Sequence, residues 1–240
     1  MMPLREYIRD QFLLLTFRMP REKLQNLTDG HLFWGALITW VVGIGRWWDF
    51  DRANTIQRLG LFSIIYIVAF ALIFFLWLHP FQRPEFKFKA LLRFTSMVSL
   101  PGILYAVPVE RLTDASTASA YNLYALLVVA AWRLSLLIFY MVRASELHWL
   151  KGVAAALLPL DIVVVGVSVS GYQTHLIDFM GGVRQPVTSK TDTTQFLFAL
   201  MMFGIVLLLP LLAIYAISAV TETVQRRRKS ELLATREKSD

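Results

Sequence analysis

There is no cysteine in this chain of 240 residues. That absence rules out disulfides, thiolate metal sites, a cysteine nucleophile and palmitoylated cysteine. Charge is also scarce: Asp, Glu, Lys and Arg make up 17% of the residues, against about 25% in ordinary soluble domains. No Gly-rich phosphate loop precedes a Lys-Ser/Thr, and no Gly-x-Ser-x-Gly elbow occurs. Histidine is limited to His31, His79, His148 and His175, and only His175 has a carboxylate, Asp178, at close helical spacing. One such pair is too little for a metal centre, so no metal and no cofactor is predicted. With no motif for nucleophilic or acid–base chemistry, the chain is not expected to be an enzyme. The first thirty residues carry Arg18, Arg21, Glu22 and Lys23 with no A-x-A-like site after them, so no cleavable signal peptide is expected.

What the chain has instead is apolar length. Hydrophobic residues make up 56% of it and are clustered: Leu59–Leu78 runs 20 residues without a charge and Phe196–Val220 runs 25. A helix needs about 20 apolar residues to cross the hydrocarbon core, and it satisfies its backbone hydrogen bonds within one segment. The pattern predicts an all-α, polytopic transmembrane bundle of about six spans: 31–48, 59–78, 94–109, 121–142, 152–172 and 196–220. The 94–109 segment is the shortest, with Pro101, Gly102 and Pro108 inside it, and a re-entrant or broken helix is its alternative. Pro101, Pro159 and Pro210 are the expected helix breaks.

The spans divide the chain into a segment 1–30, a transmembrane domain 31–220 and a basic tail 221–240. Within the first, Leu4, Tyr7, Ile8, Phe12 and Leu15 recur at helical spacing, with Arg5, Arg9 and Asp10 on the other side. That is an amphipathic helix suited either to the membrane interface or to packing on the protein's own spans. In the first span, Gly35, Thr39 and Gly43 put small residues on one face, where another helix can approach closely.

The net charge of +7 lies beside the spans, in loops and tails, which argues against nucleic acid as a partner. With six spans and a cytoplasmic N-terminus, 17 of the 24 Lys and Arg fall in inside segments and 6 outside, with Arg133 within a span. The positive-inside rule then predicts both termini in the cytoplasm, here of a bacterial inner membrane. Arg226, Arg227, Arg228 and Lys229 follow the last span as a stop-transfer cluster that also suits anionic lipid.

Besides Arg46, which snorkels at the edge of the first span, two charges stand near the middle of predicted spans. Arg133 lies 9 residues before Val142, and Asp161 about 10 after Lys151. At a rise of about 1.5 Å per residue the two depths agree within a turn, so antiparallel neighbours would form a buried Arg133–Asp161 ion pair. Such a pair either fixes helix register or marks a pathway for an ion or proton.

Three stretches carry a family resemblance. Phe12–Leu24 contains Met19-Pro20-Arg21 before the first span. Lys89–Leu104 is a basic lead-in to Pro101. Ala125–Gly166 contains Trp132-Arg133 and then Ala154-Ala-Ala-Leu-Leu-Pro159. Over about residues 10–170 this hydropathy and proline pattern resembles the bacterial branch of the Yip family, the Ypt/Rab-GTPase-interacting membrane proteins. The resemblance implies a multi-span, non-catalytic organiser or adaptor associated with other membrane proteins or with itself, and it transfers no catalytic residue. The Asp-Leu-Tyr-Gly-Pro-like signature of the eukaryotic members is missing, so no Rab partner is implied, and the family has about five spans. A small transporter or channel using the Arg133–Asp161 pair is the alternative reading.

Overall fold

Pro3 sits in extended backbone just before the first helix, where its missing N–H costs nothing. That helix, α1 (Leu4–Leu15), stops in a left-handed turn: Phe17 takes φ 60°, its N–H donates to the Leu14 carbonyl and the Arg18 N–H to the Leu13 carbonyl. The computed structural model describes residues 2–47, 55–81, 83–107, 109–170 and 190–237. Every described element is helical. After α1 come α2 (Arg21–Gln25), α3 (Asp29–Trp47), α4 (Thr55–Arg58), α5 (Leu61–Leu78), α6 (Phe88–Met97), α7 (Val109–Leu112), α8 (Ala115–Arg143), α9 (Trp149–Val169) and α10 (Lys190–Glu237).

Four stretches are long and apolar enough to cross a membrane: Leu61–Phe81, Ala120–Arg143, Trp149–Val167 and Met201–Gln225. They answer to the second, fourth, fifth and sixth expected spans. The first expected span is α3, a continuous helix of 19 residues that does not reach the same length and apolarity within the described residues. The third is not one helix. α6 ends at Met97, and Leu100–Ala106 continues as a 3-10 helix. Pro101 explains the break, because it has no N–H for the Met97 carbonyl and its ring crowds that carbonyl. Pro159 and Pro210 behave differently from expectation. Both lie inside continuous helices, α9 and α10, each of which forgoes one backbone bond and resumes.

α3 packs on α5, α6 and the 3-10 helix, α8 packs on α9 and the 3-10 helix, and α9 and α10 form the most extensive pair. A core of Tyr7, Leu14, Phe74, Phe81, Phe94, Leu136 and Tyr140 ties the N-terminal segment to α5, α6 and α8. Phe94 and Tyr140 stack with ring centres 4.1 Å apart. α3 and α5 approach backbone to backbone at their far ends. A Cβ on Gly60 would lie 2.7 Å from the Trp40 carbonyl oxygen, and Gly43 faces Ser63. The small-residue face read in α3 is therefore used, although by two partners: Gly35 faces Ser96 of α6.

Candidate functional site

The break at Pro101 leaves the backbone of this buried segment in need of other donors, the Met97 carbonyl above all, on a residue 0% exposed. Side chains from three other helices supply them. Gln11 of α1 donates to the Met97 carbonyl at 2.7 Å, which is the carbonyl Pro101 leaves without a partner. Thr39 of α3 donates to its own Gly35 carbonyl at 2.7 Å and lies 3.4 Å from the Ser96 carbonyl. Arg133 of α8 donates through Nη2 to the Ser99 carbonyl at 2.9 Å, alongside the Gly102 N–H at 3.0 Å. The Arg133 guanidinium also stands 5.7 Å from the centre of the Tyr66 ring. Tyr7 completes the set by donating to Gln11 Oε1 at 3.0 Å, so both ends of the buried amide are used.

Arg133 therefore does not pair with Asp161. The expected ion pair is not formed, and the reason is rotation about the helix axis. Asp161 leaves α9 on the side of α10, where a Cβ on Gly204 would lie 2.5 Å from its Oδ1. Its Oδ2 is shielded from solvent and has no hydrogen-bond partner.

A second polar cluster anchors α1. Asp10 is 2% exposed. Lys23 donates to its Oδ1, and His31 Nε2 lies 3.3 Å from its Oδ2. The Thr28 N–H donates to His31 Nδ1 at 3.0 Å, so Nε2 is the protonated nitrogen facing Asp10. Thr28, His31 and Asp10 resemble a hydrolase triad only in composition. Thr28 and His31 are the cap and third residue at the start of α3, a capping-box arrangement with His in the acceptor role. Burial pushes the Asp10 carboxyl up, but hydrogen bonds from Lys23 and His31 and the charges of Lys23 and Arg9 outweigh it and hold the group below the usual carboxylate range. Folding therefore favours ionised Asp10. Its contribution is complete above the unfolded value of about 3.9 and is lost as pH falls through the lower folded value. Acid titration of unfolding in detergent should cost the wild type more stability below about pH 4 than it costs Asp10→Asn. Parallel acid curves would refute it.

A third cluster closes one end of the bundle. Arg21 pairs with Glu146, Gln25 donates to Glu85 at 3.1 Å and to the Ala144 carbonyl at 2.7 Å, and Arg83 donates to the Ser145 carbonyl. Glu222 of α10 receives Arg83 at 3.2 Å and Lys151 at 3.8 Å.

Of the basic tail, α10 carries the backbone through Arg226, Arg227, Arg228 and Lys229, and Arg228 is exposed. The other three side chains, and the His175–Asp178 pair, lie outside the described residues. Among the described residues no group of three His, Asp or Glu stands together as metal ligands. Sequence offers no role for Gln11 or Glu222, and it reads Thr39 only as a small residue of the α3 face and Asp10 only as part of the polar side of α1. Pro101 signals that a carbonyl four residues earlier needs a donor, but nothing local says which residue supplies it.

Among the described residues the protein is all-helical, with four helices long and apolar enough to cross a membrane. No family model, curated protein or solved structure matches the chain.

Proposed function

We propose that this chain is a non-catalytic, multi-span protein of the Yip type, an organiser or adaptor in a bacterial cytoplasmic membrane, with six passes and both termini inside. The observation that carries the topology is the polar end just described. It joins 1–30, 79–93, 143–151 and the start of 221–240 through Arg21–Glu146, Gln25–Glu85 and Arg83–Glu222. With the rest of the tail to residue 240, those segments hold 17 of the 24 Lys and Arg, and the positive-inside rule assigns such an end to the cytoplasm. Between 30 and 79, and again between 93 and 143, the chain must leave that end and return. α3 with α5, and the broken α6 segment with α8, make those two excursions. The basic tail then meets anionic lipid from the inner side. The partners are the bilayer and other membrane proteins, or further copies of the chain.

The non-catalytic reading rests on how the deep polar groups are spent. Arg133, Gln11 and Thr39 serve the protein's own backbone, as structural polar residues in membranes do. One observation favours the alternative of a small transporter or channel, namely the unpartnered Asp161 carboxylate between α9 and α10. Sealed proteoliposomes separate the two. The organiser reading expects no proton or cation flux above protein-free vesicles. Flux that Asp161→Asn removes while folded yield holds would replace it with a pathway. The charge swap Arg133→Asp with Asp161→Arg should not rescue the single reversals, because the two side chains do not meet.

A further inference from the structure

α1 presents three different sides. At about 100° per residue, the buried Tyr7, Asp10, Gln11 and Leu14 share one side. Leu4, Ile8 and Phe12 follow at intervals of four residues and form a stripe about a quarter turn round. They are 44%, 56% and 61% exposed. Arg5 and Arg9 lie a further quarter turn on, both exposed, and Glu6 lies beyond them. The apolar residues read as one face from sequence are thus split. Tyr7 goes into the protein, while Leu4, Ile8 and Phe12 turn away from it.

The level of the helix follows from its partners. Gln11 reaches the break beside Ser96, which packs against Gly35 and Thr39, 6 to 10 residues into α3. That is roughly 9–15 Å from the start of α3. The Leu15 carbonyl, unpaired at the helix end, receives the Trp132 indole N–H at 3.1 Å. Trp132 lies 11 residues before Arg143, about 16 Å along α8. α1 is held below the polar end, alongside helices whose outer faces are apolar.

We infer that α1 is seated in the leaflet at the polar end of the bundle, with Leu4, Ile8 and Phe12 against phospholipid acyl chains and Arg5 and Arg9 at the phosphates. The occupant is lipid because the stripe is apolar, lies at that depth and is bordered by cations on its outward side. Water at that level would leave three large apolar side chains exposed beside Arg5 and Arg9, of which Arg9 reaches Asp10 at 3.4 Å on its buried side and turns outward on the other. The inference rests on the chain being a membrane protein and not on its being an organiser.

With no native cysteine, Ile8→Cys, Phe12→Cys and Glu6→Cys each give one labelling site. The full chain, labelled with an environment-sensitive fluorophore, is placed in phosphatidylcholine–phosphatidylglycerol vesicles. Labels at 8 and 12 should be quenched by nitroxides on the upper acyl chain roughly threefold more than the label at 6, and should resist aqueous iodide. Iodide reaching Ile8→Cys and Phe12→Cys as readily as Glu6→Cys overturns the inference. Transport activity, which would overturn the organiser reading, leaves this result unchanged.

Discussion

Replacing Gln11 by leucine should destabilise the folded protein by about 2–6 kcal/mol, because it strands two buried groups at about 1–3 kcal/mol each. One is the Met97 carbonyl, already deprived of its helical donor by Pro101. The other is the Tyr7 hydroxyl, on a side chain 1% exposed that donates to Gln11. Leucine fills the space and supplies no donor. A second substitution makes the argument specific. Pro101→Ala returns an N–H to position 101, which can bond to the Met97 carbonyl. Gln11→Leu should then cost at least about 1 kcal/mol less in the Pro101→Ala background than alone. Unfolding titrations of the four proteins in one detergent measure the cycle. Equal costs in both backgrounds would mean that Gln11 does not act through the carbonyl Pro101 frees.

Gly60→Val should be at least as damaging, at about 2–6 kcal/mol. Gly60 has φ 67°, a conformation that a β-branched residue resists. The new Cβ would lie 2.7 Å from the Trp40 carbonyl oxygen and 2.8 Å from the Ile44 nitrogen, both backbone atoms of α3. Neither can swing aside, so α3 must move from α5. The nearby bond from the Trp40 indole N–H to the Leu59 carbonyl, 2.7 Å long, would be disturbed with it. Gly166 provides the control, since nothing lies within 4 Å of its would-be Cβ. Gly166→Ala should be neutral or stabilise by up to about 1 kcal/mol. Folded yield and thermal midpoint in detergent compare the two, and a Gly60→Val protein as stable as wild type would refute the tight α3–α5 contact.

The elements that sequence made legible are those set by local information. The 61–81, 120–143, 149–167 and 201–225 helices follow from apolar length alone. The break in the third segment follows from Pro101, which acts on a carbonyl four residues away. Pro159 and Pro210 carry the same chemistry yet leave α9 and α10 continuous, so proline marks a lost bond and packing decides whether the helix ends there. The ion pair fails for a related reason. Residue counting gives Arg133 and Asp161 their axial level, but level says nothing about direction around the axis. Asp161 faces Gly204, and α9 is engaged chiefly with α10. On α1, too, position gave the helical period but not which side the protein would take. Asp10 reads as a solvated residue until Lys23 and His31 are brought to it by the turn after Leu15.

The capped break also bears on how the chain is made. Gln11 meets its carbonyl 86 residues later, Leu15 meets Trp132 after 117, and Arg21 meets Glu146 after 125. Lys23 and His31 reach Asp10 soon after α1 is made, yet the partners of Gln11, Leu15 and Arg21 emerge only with α6 and then α8. Helix α1, made before both, is therefore fully locked only after they arrive. Until α8 arrives, the Leu15 carbonyl and Arg21 are without the partners they have in the finished fold, so the last of these fastenings closes over a separation of 125 residues.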